Sequence, residues 1–368
     1  MSAAGTTREA VGWDRVVGQD EAVAVLRRAA ERPSHAYLLV GPSGSGVEDA
    51  ARCFAASVLA PDDDRAFELA LRGVHPDVVE IDPAATQIRV EDAQTILDEA
   101  YRSPVEGARK AILVFEAERL NEQAANKLLK TLEEPPETAL IVLVTAGADQ
   151  LLATIRSRCQ RVDFAYLGPD VIRAALRDAG VDEARVELAT RLAGGRLDRA
   201  RALAGPLAGV RDAFATAARA SDGTGAGAAA HVSEAEAAMH SALAQLEVDQ
   251  SEELERLTAE LAASGYPDRI VRTQVRRLAD KHKRAHRAAR TELLVEGITA
   301  LETVYRDALA GPDAPLLNVD HPPLMLEPRS CTHVLDACRD ARHALAEFVP
   351  NETLLLERLF LHLPAVPR

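Results

Sequence analysis

HAYLLVGPSGSGVE, residues 35–48, sets a short apolar run against a glycine-rich turn, and its reading decides the fold. The run AYLLV (36–40) has the continuous apolar character of a strand buried on both faces. GPSGSGVE (41–48) has the frame of a phosphate loop, the turn that feeds a strand into the start of a helix. A working loop of this type carries Lys and then Ser or Thr after its last Gly. The Lys reaches the β- and γ-phosphates and the hydroxyl holds Mg²⁺. Gly41, Pro42, Gly44 and Gly46 keep the frame, but Val47 and Glu48 stand at the two working positions. Val47 offers no charge, and Glu48 brings a carboxylate where polyphosphate would sit. Two readings of the loop stay open. It is a tight turn that has lost its chemistry, which we favour, or its backbone N–H groups still hold an anion.

Outward from the loop, short apolar runs alternate with helical patterns up to residue 165. The strand candidates after 36–40 are VVEI (78–81), AILVF (111–115), ALIVLV (139–144) and VDFA (162–165). Helical spacing of three or four covers 47–60, 90–102 and 121–133. Strands alternating with helices predict an α/β domain with a parallel sheet. Beyond 165 the strands stop. Residues 168–205 read as a small helical unit broken at Gly194–Gly195. SDGTGAGAAA (221–230) reads as a loop or loose connection. Helical patterns then cover 232–264, 266–310 and 332–348, with a Pro-rich loop at 311–323 and a last apolar segment at 353–363. The expected organisation is an α/β domain over 1–165, a helical lid over 166–207 and an all-α collar over 208–368.

Composition fits this reading. The 368 residues are 47% hydrophobic and only 4% aromatic. No apolar run reaches the ~18 residues that suggest a membrane span. MSAAGTTREAVGWDR, residues 1–15, has no hydrophobic signal core. Cys53, Cys159, Cys331 and Cys338 are too scattered for a disulfide framework, so a cytoplasmic protein with reduced thiols is expected. The net charge of −14 disfavours non-specific binding to nucleic acid. Residues 271–290 nonetheless carry eight Lys or Arg and one Asp, a local +7 that leaves −21 on the remainder. That basic stretch admits three readings: a DNA-tracking helix, a dock for acidic surface, or a solvated face. Without interleaved aromatics it offers no stacking platform for single strands.

Four motifs fall in one order: VVGQDEAVAVL (16–26), HAYLLVGPSGSG (35–46), AILVFEAERLNEQAANKLLKTLEEPP (111–136) and SRC (157–159). Together they resemble the clamp-loader branch of the AAA+ ATPases. KLLKTLEEPP and SRC carry the resemblance more specifically than a glycine-rich loop alone. NETLLLERLFLHL (351–363) is similar to the closing helix of a bacterial clamp-loader collar.

The resemblance implies residue roles. ATP-hydrolysing relatives end the third strand in Asp-Glu, to support Mg²⁺ and polarise water. Here those positions are Phe115 and Glu116, and we expect Phe115 to pack in the core. Thr145 stands where relatives sense the γ-phosphate. The later Arg that touches ATP aligns with Asp198, with Arg199 beside it. The SRC motif, Ser157, Arg158 and Cys159, is intact. In the family its Arg projects into the ATP site of the adjacent subunit, where a finger of this kind supplies ~10³–10⁵ in rate. The alternative for Arg158 is a surface residue in an ion pair within its own chain. Ser157 and Cys159 are expected to fix the turn and pack, because no His base stands near Cys159 in sequence.

The implied function is therefore a non-hydrolysing subunit that gives Arg158 in trans. No cofactor is expected in its own site, and ATP-Mg belongs to the neighbour. Implied partners are gamma/tau-like motor subunits and a delta-like subunit, with the sliding clamp contacted indirectly and primed DNA bound by the complex. That complex is classed as a DNA-directed DNA polymerase and sits in the cytoplasmic, nucleoid-associated replisome. Rival readings are an active motor subunit, a DNA-binding accessory protein using 271–290, and a P-loop transferase. Val47 opposes the first; KLLKTLEEPP and SRC oppose the last. Zinc is expected neither near Cys53 and His75, which fall short of four ligands, nor at His282 and His286 amid many cations.

Overall fold

The computed structural model describes residues 12–81, 87–263, 268–310, 314–347 and 351–366, and only the backbone of Arg287. The first 11 residues of the expected α/β domain and 311–313 of the expected Pro-rich loop lie outside these. The described residues form two compact units. One holds the chain up to Ile172 with Gly195–Asp198 and a short stretch ending at Gln274. The other holds Arg173–Gly194, the chain from Arg199, and the chain from Val275 onward.

The first unit contains α1 (Asp20–Glu31), β1 (Ala36–Val40), α2 (Val47–Leu59), α3 (Asp64–Leu71), β2 (Val78–Ile81) and α4 (Val90–Ala100). β3 (Lys110–Val114), α5 (Glu122–Glu133), β4 (Ala139–Thr145), α6 (Ala153–Arg156) and β5 (Gln160–Asp163) follow. The five strands are parallel, in the order β2-β3-β4-β1-β5. Their apolar runs divide by alternation into two cores. Tyr37, Leu39, Leu113 and Val142 pack with Leu26, Phe54 and Phe67 of α1, α2 and α3. Leu38, Ile112, Ile141 and Leu143 pack with Ile96, Leu128 and Leu132 of α4 and α5. Helices on both faces explain why the strands read as unbroken apolar runs.

The expected α/β sheet is present, with small shifts at its edges. β3 starts at Lys110, so Phe115 falls just past its end, and β4 runs on to Thr145. β5 covers 160–163 instead of 162–165, because residues 160–163 pair in register with Tyr37 to Val40. At the start of β3, Lys110 is 4% exposed and its Nζ lies 2.9 Å from Glu99 Oε2. Glu99 also receives Arg102 Nη1 at 2.8 Å. Lys110→Ala removes the buried cation from this carboxylate and is expected to cost about 3 kcal/mol, read as a lower urea midpoint.

The rest of the chain is helical: α7 (Pro169–Asp178), α8 (Glu183–Ala193), α9 (Leu197–Ala204), α10 (Ala208–Ala220), α11 (Gly225–Ala263), α12 (Asp268–Leu309), α13 (Pro328–Glu347) and α14 (Glu352–Phe360). Gly194 and Gly195, at φ 61° and 84°, end α8 as the sequence suggests. The stretch 221–230 corrects the sequence reading, because only 221–224 is a turn and Gly225 already starts α11. Asp222 accepts from the Thr224 N–H and hydroxyl, both at 2.8 Å, and Thr224 Oγ1 accepts from Gly227 N at 3.0 Å. These side chains cap the helix, and Ala228, Val232, Ala235 and Met239 bury its face. In the second unit the Phe214 and Phe360 rings meet edge to face, 5.3 Å apart. Gly297 of α12 has no side chain, and the Phe214 ring fills the space a Cβ would need.

Candidate functional site

The glycine-rich turn leaves β1 between β4 and β5, at the carboxyl edge of the sheet. Gly41 N–H donates to Thr145 O at 3.0 Å, and Phe164 N–H donates to Val40 O at 2.7 Å. Strand order reverses here, which is where open parallel sheets bind ligands. Gly44 and Gly46 hold φ of +77° and +93°, a left-handed geometry that suits glycine. Gly46 is the N-cap of α2. The frame is thus a phosphate loop in shape.

Its working positions are closed. Val47 is 1% exposed and belongs to the core beneath the loop. Glu48 turns back on the loop, and Gly44 N–H approaches its Oε2 at 3.4 Å. Ser45 Oγ is buried without a hydrogen-bond partner, facing Gly41. Phe115 is buried at 4% exposure, as expected for core packing, with the Arg52 guanidinium 4.8 Å above its ring. Arg52 in turn pairs with Glu80 at 2.6 Å. Glu116 has a left-handed backbone, φ 49° and ψ 47°, and its carboxylate pairs with Arg119 at 2.8 Å. Thr145 is 1% exposed and spends its hydroxyl inside the chain. It donates to Glu118 Oε2 at 2.6 Å and accepts from Gly147 N at 3.1 Å.

One loop partner was not legible in the sequence, and a second was placed near the loop only by its alignment with the Arg that touches ATP in relatives. Gln19 is 6% exposed, and its Nε2 donates to Ser45 O at 3.0 Å and Ala165 O at 2.7 Å. Its Oε1 accepts from Ala165 N at 3.2 Å, which fixes the loop to the end of the sheet. The VVGQ motif contains this residue, but nothing local names its partners. Asp198 is the second. Its carboxylate occupies the space where a Cβ on Gly44 would stand, while Leu197 N–H donates to Gly44 O at 3.1 Å. Arg196 Nη2 holds the Asp198 carboxylate at 2.8 Å. Arg199 pairs with Glu296 at 3.0 Å instead.

Arg158 follows α6. Its Nη2 lies 2.6 Å from Glu133 Oε1, and its Nη1 donates to Thr154 O at 2.8 Å. The ion pair weighed as the alternative is therefore formed in the single chain. Both side chains remain open to solvent, 33% for Arg158 and 49% for Glu133. Ser157 caps α6 and donates to Thr154 O at 3.2 Å. Burial pushes the Cys159 thiol up to about 12, which suits packing and opposes a thiolate nucleophile. Cys53, Cys331 and Cys338 are buried free thiols on helices. His75 is buried, and burial lowers its pKa.

The basic stretch lies on α12 and faces acidic residues of α11. His282 Nε2 is 2.9 Å from Glu253, and His286 Nε2 is 3.0 Å from Glu247. Among the described residues, no three His, Cys, Asp or Glu side chains gather as a metal site. No described helix is long and apolar enough to cross a membrane.

Known proteins match the same region. The family described as "DNA polymerase III, delta subunit" matches residues 18–168. The Bacillus subtilis DNA polymerase III subunit tau is 35% identical over 225 residues, covering 55% of this chain and 40% of that protein. The Pseudomonas aeruginosa DNA polymerase III subunit delta' is 38% identical over 136 residues, covering 34% and 42%. The B. subtilis delta' subunit is 34% identical over 158 residues, covering 41% and 48%. The chain thus spans less than half the length of these relatives. A DNA polymerase III gamma subunit-related protein from Thermotoga maritima aligns over 92% of this chain and 98% of its own. The identity there is 23% and the TM-score 0.47.

Proposed function

We propose that the chain is a clamp-loader subunit of the DNA polymerase III type, delta-prime-like and non-hydrolysing, a reading supported by its matches to that family. It has no cofactor of its own and presents Arg158 to ATP-Mg held by a neighbouring gamma/tau-like motor subunit. It works beside a delta-like subunit in loading the sliding clamp onto primed DNA, in the cytoplasmic replisome. Residues 1–165 form the AAA+ domain, 166–207 the lid and 208–368 the collar that joins the ring.

The observation that supports this reading best is the state of the loop. Val47 is in the core and Glu48 caps Gly44. Neither Val47 nor Glu48 offers a cation to a γ-phosphate, and the Phe115 side chain has no oxygen to support Mg²⁺. Arg158, by contrast, is partly open to solvent and held by a partly exposed carboxylate and one backbone carbonyl. A finger must leave its own chain to act in another, and this one has little to leave.

A motor-type reading gains from one fact, that the match to the tau subunit runs longer than those to the delta' subunits. The loop opposes it, because a motor needs the Lys. Reconstitution with motor subunits tests the choice. This chain should raise their ATP hydrolysis while showing none alone. Hydrolysis by the purified chain, abolished by substituting Gly46 or Glu116, would overturn the proposal.

A further inference from the structure

We propose that Asp198, with Glu48, is the specificity determinant that keeps nucleotide out of the loop: the chain fills its phosphate cradle with its own carboxylates. This rests on the nucleotide-free reading above and extends it. Losing Lys and Thr would only weaken a phosphate site, since a left-handed glycine turn at a helix N-terminus still aims N–H groups and positive dipole at an anion. The structure adds an obstacle that the loop sequence does not contain.

Two carboxylates converge on Gly44. Asp198 fills the Cβ side of that glycine, and Glu48 Oε2 meets its N–H at 3.4 Å from the other. The Asp198 contact is built in from several directions. Leu197 N–H donates to Gly44 O at 3.1 Å, so the start of α9 is bonded to the loop backbone itself. Arg196 holds Asp198 in place with Nη2 at 2.8 Å and Nε at 3.4 Å, and offsets its charge. An arriving triphosphate meets occupied space and like charge. The Gly44 amide that would greet an anion already has one.

The test repairs the loop chemistry with the plug left in or taken out, in the full chain, with MgATP as probe. Val47→Lys/Glu48→Thr restores the missing side chains. Adding Asp198→Ala is expected to tighten MgATP binding at least about tenfold over that double variant. Adding Asp198→Asn, which removes charge and keeps shape, apportions the gain between repulsion and space. Equal affinity with and without Asp198 overturns the proposal, as does no binding by any variant whose thermal melt matches wild type. Because Val47 is buried, a second measurement leaves it intact. Asp198→Ala alone should speed hydrogen exchange of the Leu197 amide at least about tenfold, and unchanged exchange overturns the proposal. MgATP binding by the wild-type chain is a separate failure, that of the nucleotide-free reading.

Discussion

Arg158→Ala, in a complex rebuilt with gamma/tau-type motor subunits, is expected to slow hydrolysis at the ATP site facing this chain by about 10³–10⁵. That factor corresponds to roughly 4–7 kcal/mol of transition-state stabilisation. In the proposed role the guanidinium would neutralise charge that develops on the γ-phosphoryl oxygens, and alanine has nothing to replace it. The pair with Glu133 is no barrier to that role. It is 2.6 Å long, yet both partners are partly in water. Pairs of that kind contribute about 0–1 kcal/mol, small beside what a finger supplies. Glu133→Gln should therefore leave the rate within a few-fold of wild type. Arg158→Lys should recover only part of it, since an ammonium lacks the planar fork. Single-turnover hydrolysis in the presence of clamp and primed DNA reads all three. A rate unchanged by Arg158→Ala would remove the finger.

Arg211→Ala carries the largest expected loss of stability, about 3–5 kcal/mol in the second unit. Arg211 is 2% exposed, and its guanidinium gathers two partners from distant chain, Asn318 and Asp320, with its neighbour Asp212. Nη2 lies 2.5 Å from Asn318 Oδ1 and 3.0 Å from Asp320 Oδ1, and Nη1 lies 3.1 Å from Asp212. Asn318 in turn donates its backbone N–H and side-chain amide to Asp307, at 2.8 and 2.9 Å, with Leu317 N–H joining at 3.1 Å. The segment around NVD (318–320) is thus pinned to α10 and α12 by polar bonds. Removing the guanidinium at Asn318 and Asp320 leaves those groups poorly satisfied.

The same network fixes the pH dependence. Burial pushes the Asp320 carboxyl up, but the hydrogen bonds and charge of Arg211 outweigh it and hold it below its ordinary range. Burial likewise raises Asp307, and its bonds to Asn318, Arg306 and Leu317 outweigh that too. A carboxyl depressed in the folded state stabilises above its unfolded pKa and loses that contribution as pH falls through the folded one. The gap between wild type and Arg211→Ala should be full at pH 7 and shrink below about pH 4. Urea titrations at several pH values measure it. A constant gap would assign Arg211 to packing alone.

Much of the fold was legible because burial on both faces leaves a local mark. AYLLV, VVEI and ALIVLV read as strands, and they are strands. Gly194 and Gly195 read as a break because positive φ favours glycine. The Gly/Ala run at 225–230 misled because its composition is that of a linker, while Ala is also the best helix former. What decided it was a cap from Asp222 and Thr224 and a buried face, neither visible as periodicity. At the site, the missing Lys and hydroxyl were plain from GPSGSGVE. Asp198 was aligned with the ATP-touching position by resemblance, but its seat against Gly44 was not legible, nor was Gln19, because they reach the loop from more than 150 and 26 residues away. Glu133, 25 residues before Arg158, was hidden for the same reason. Contacts made by topology leave no spacing to read.

The central claim is that this chain completes an ATP site without having one. Equilibrium titration of the purified full chain with MgATP tests it most directly. The account predicts no saturable binding up to about 1 mM, an affinity no better than roughly −4 kcal/mol. Stoichiometric binding in the micromolar range, abolished by substituting Gly46, would contradict it.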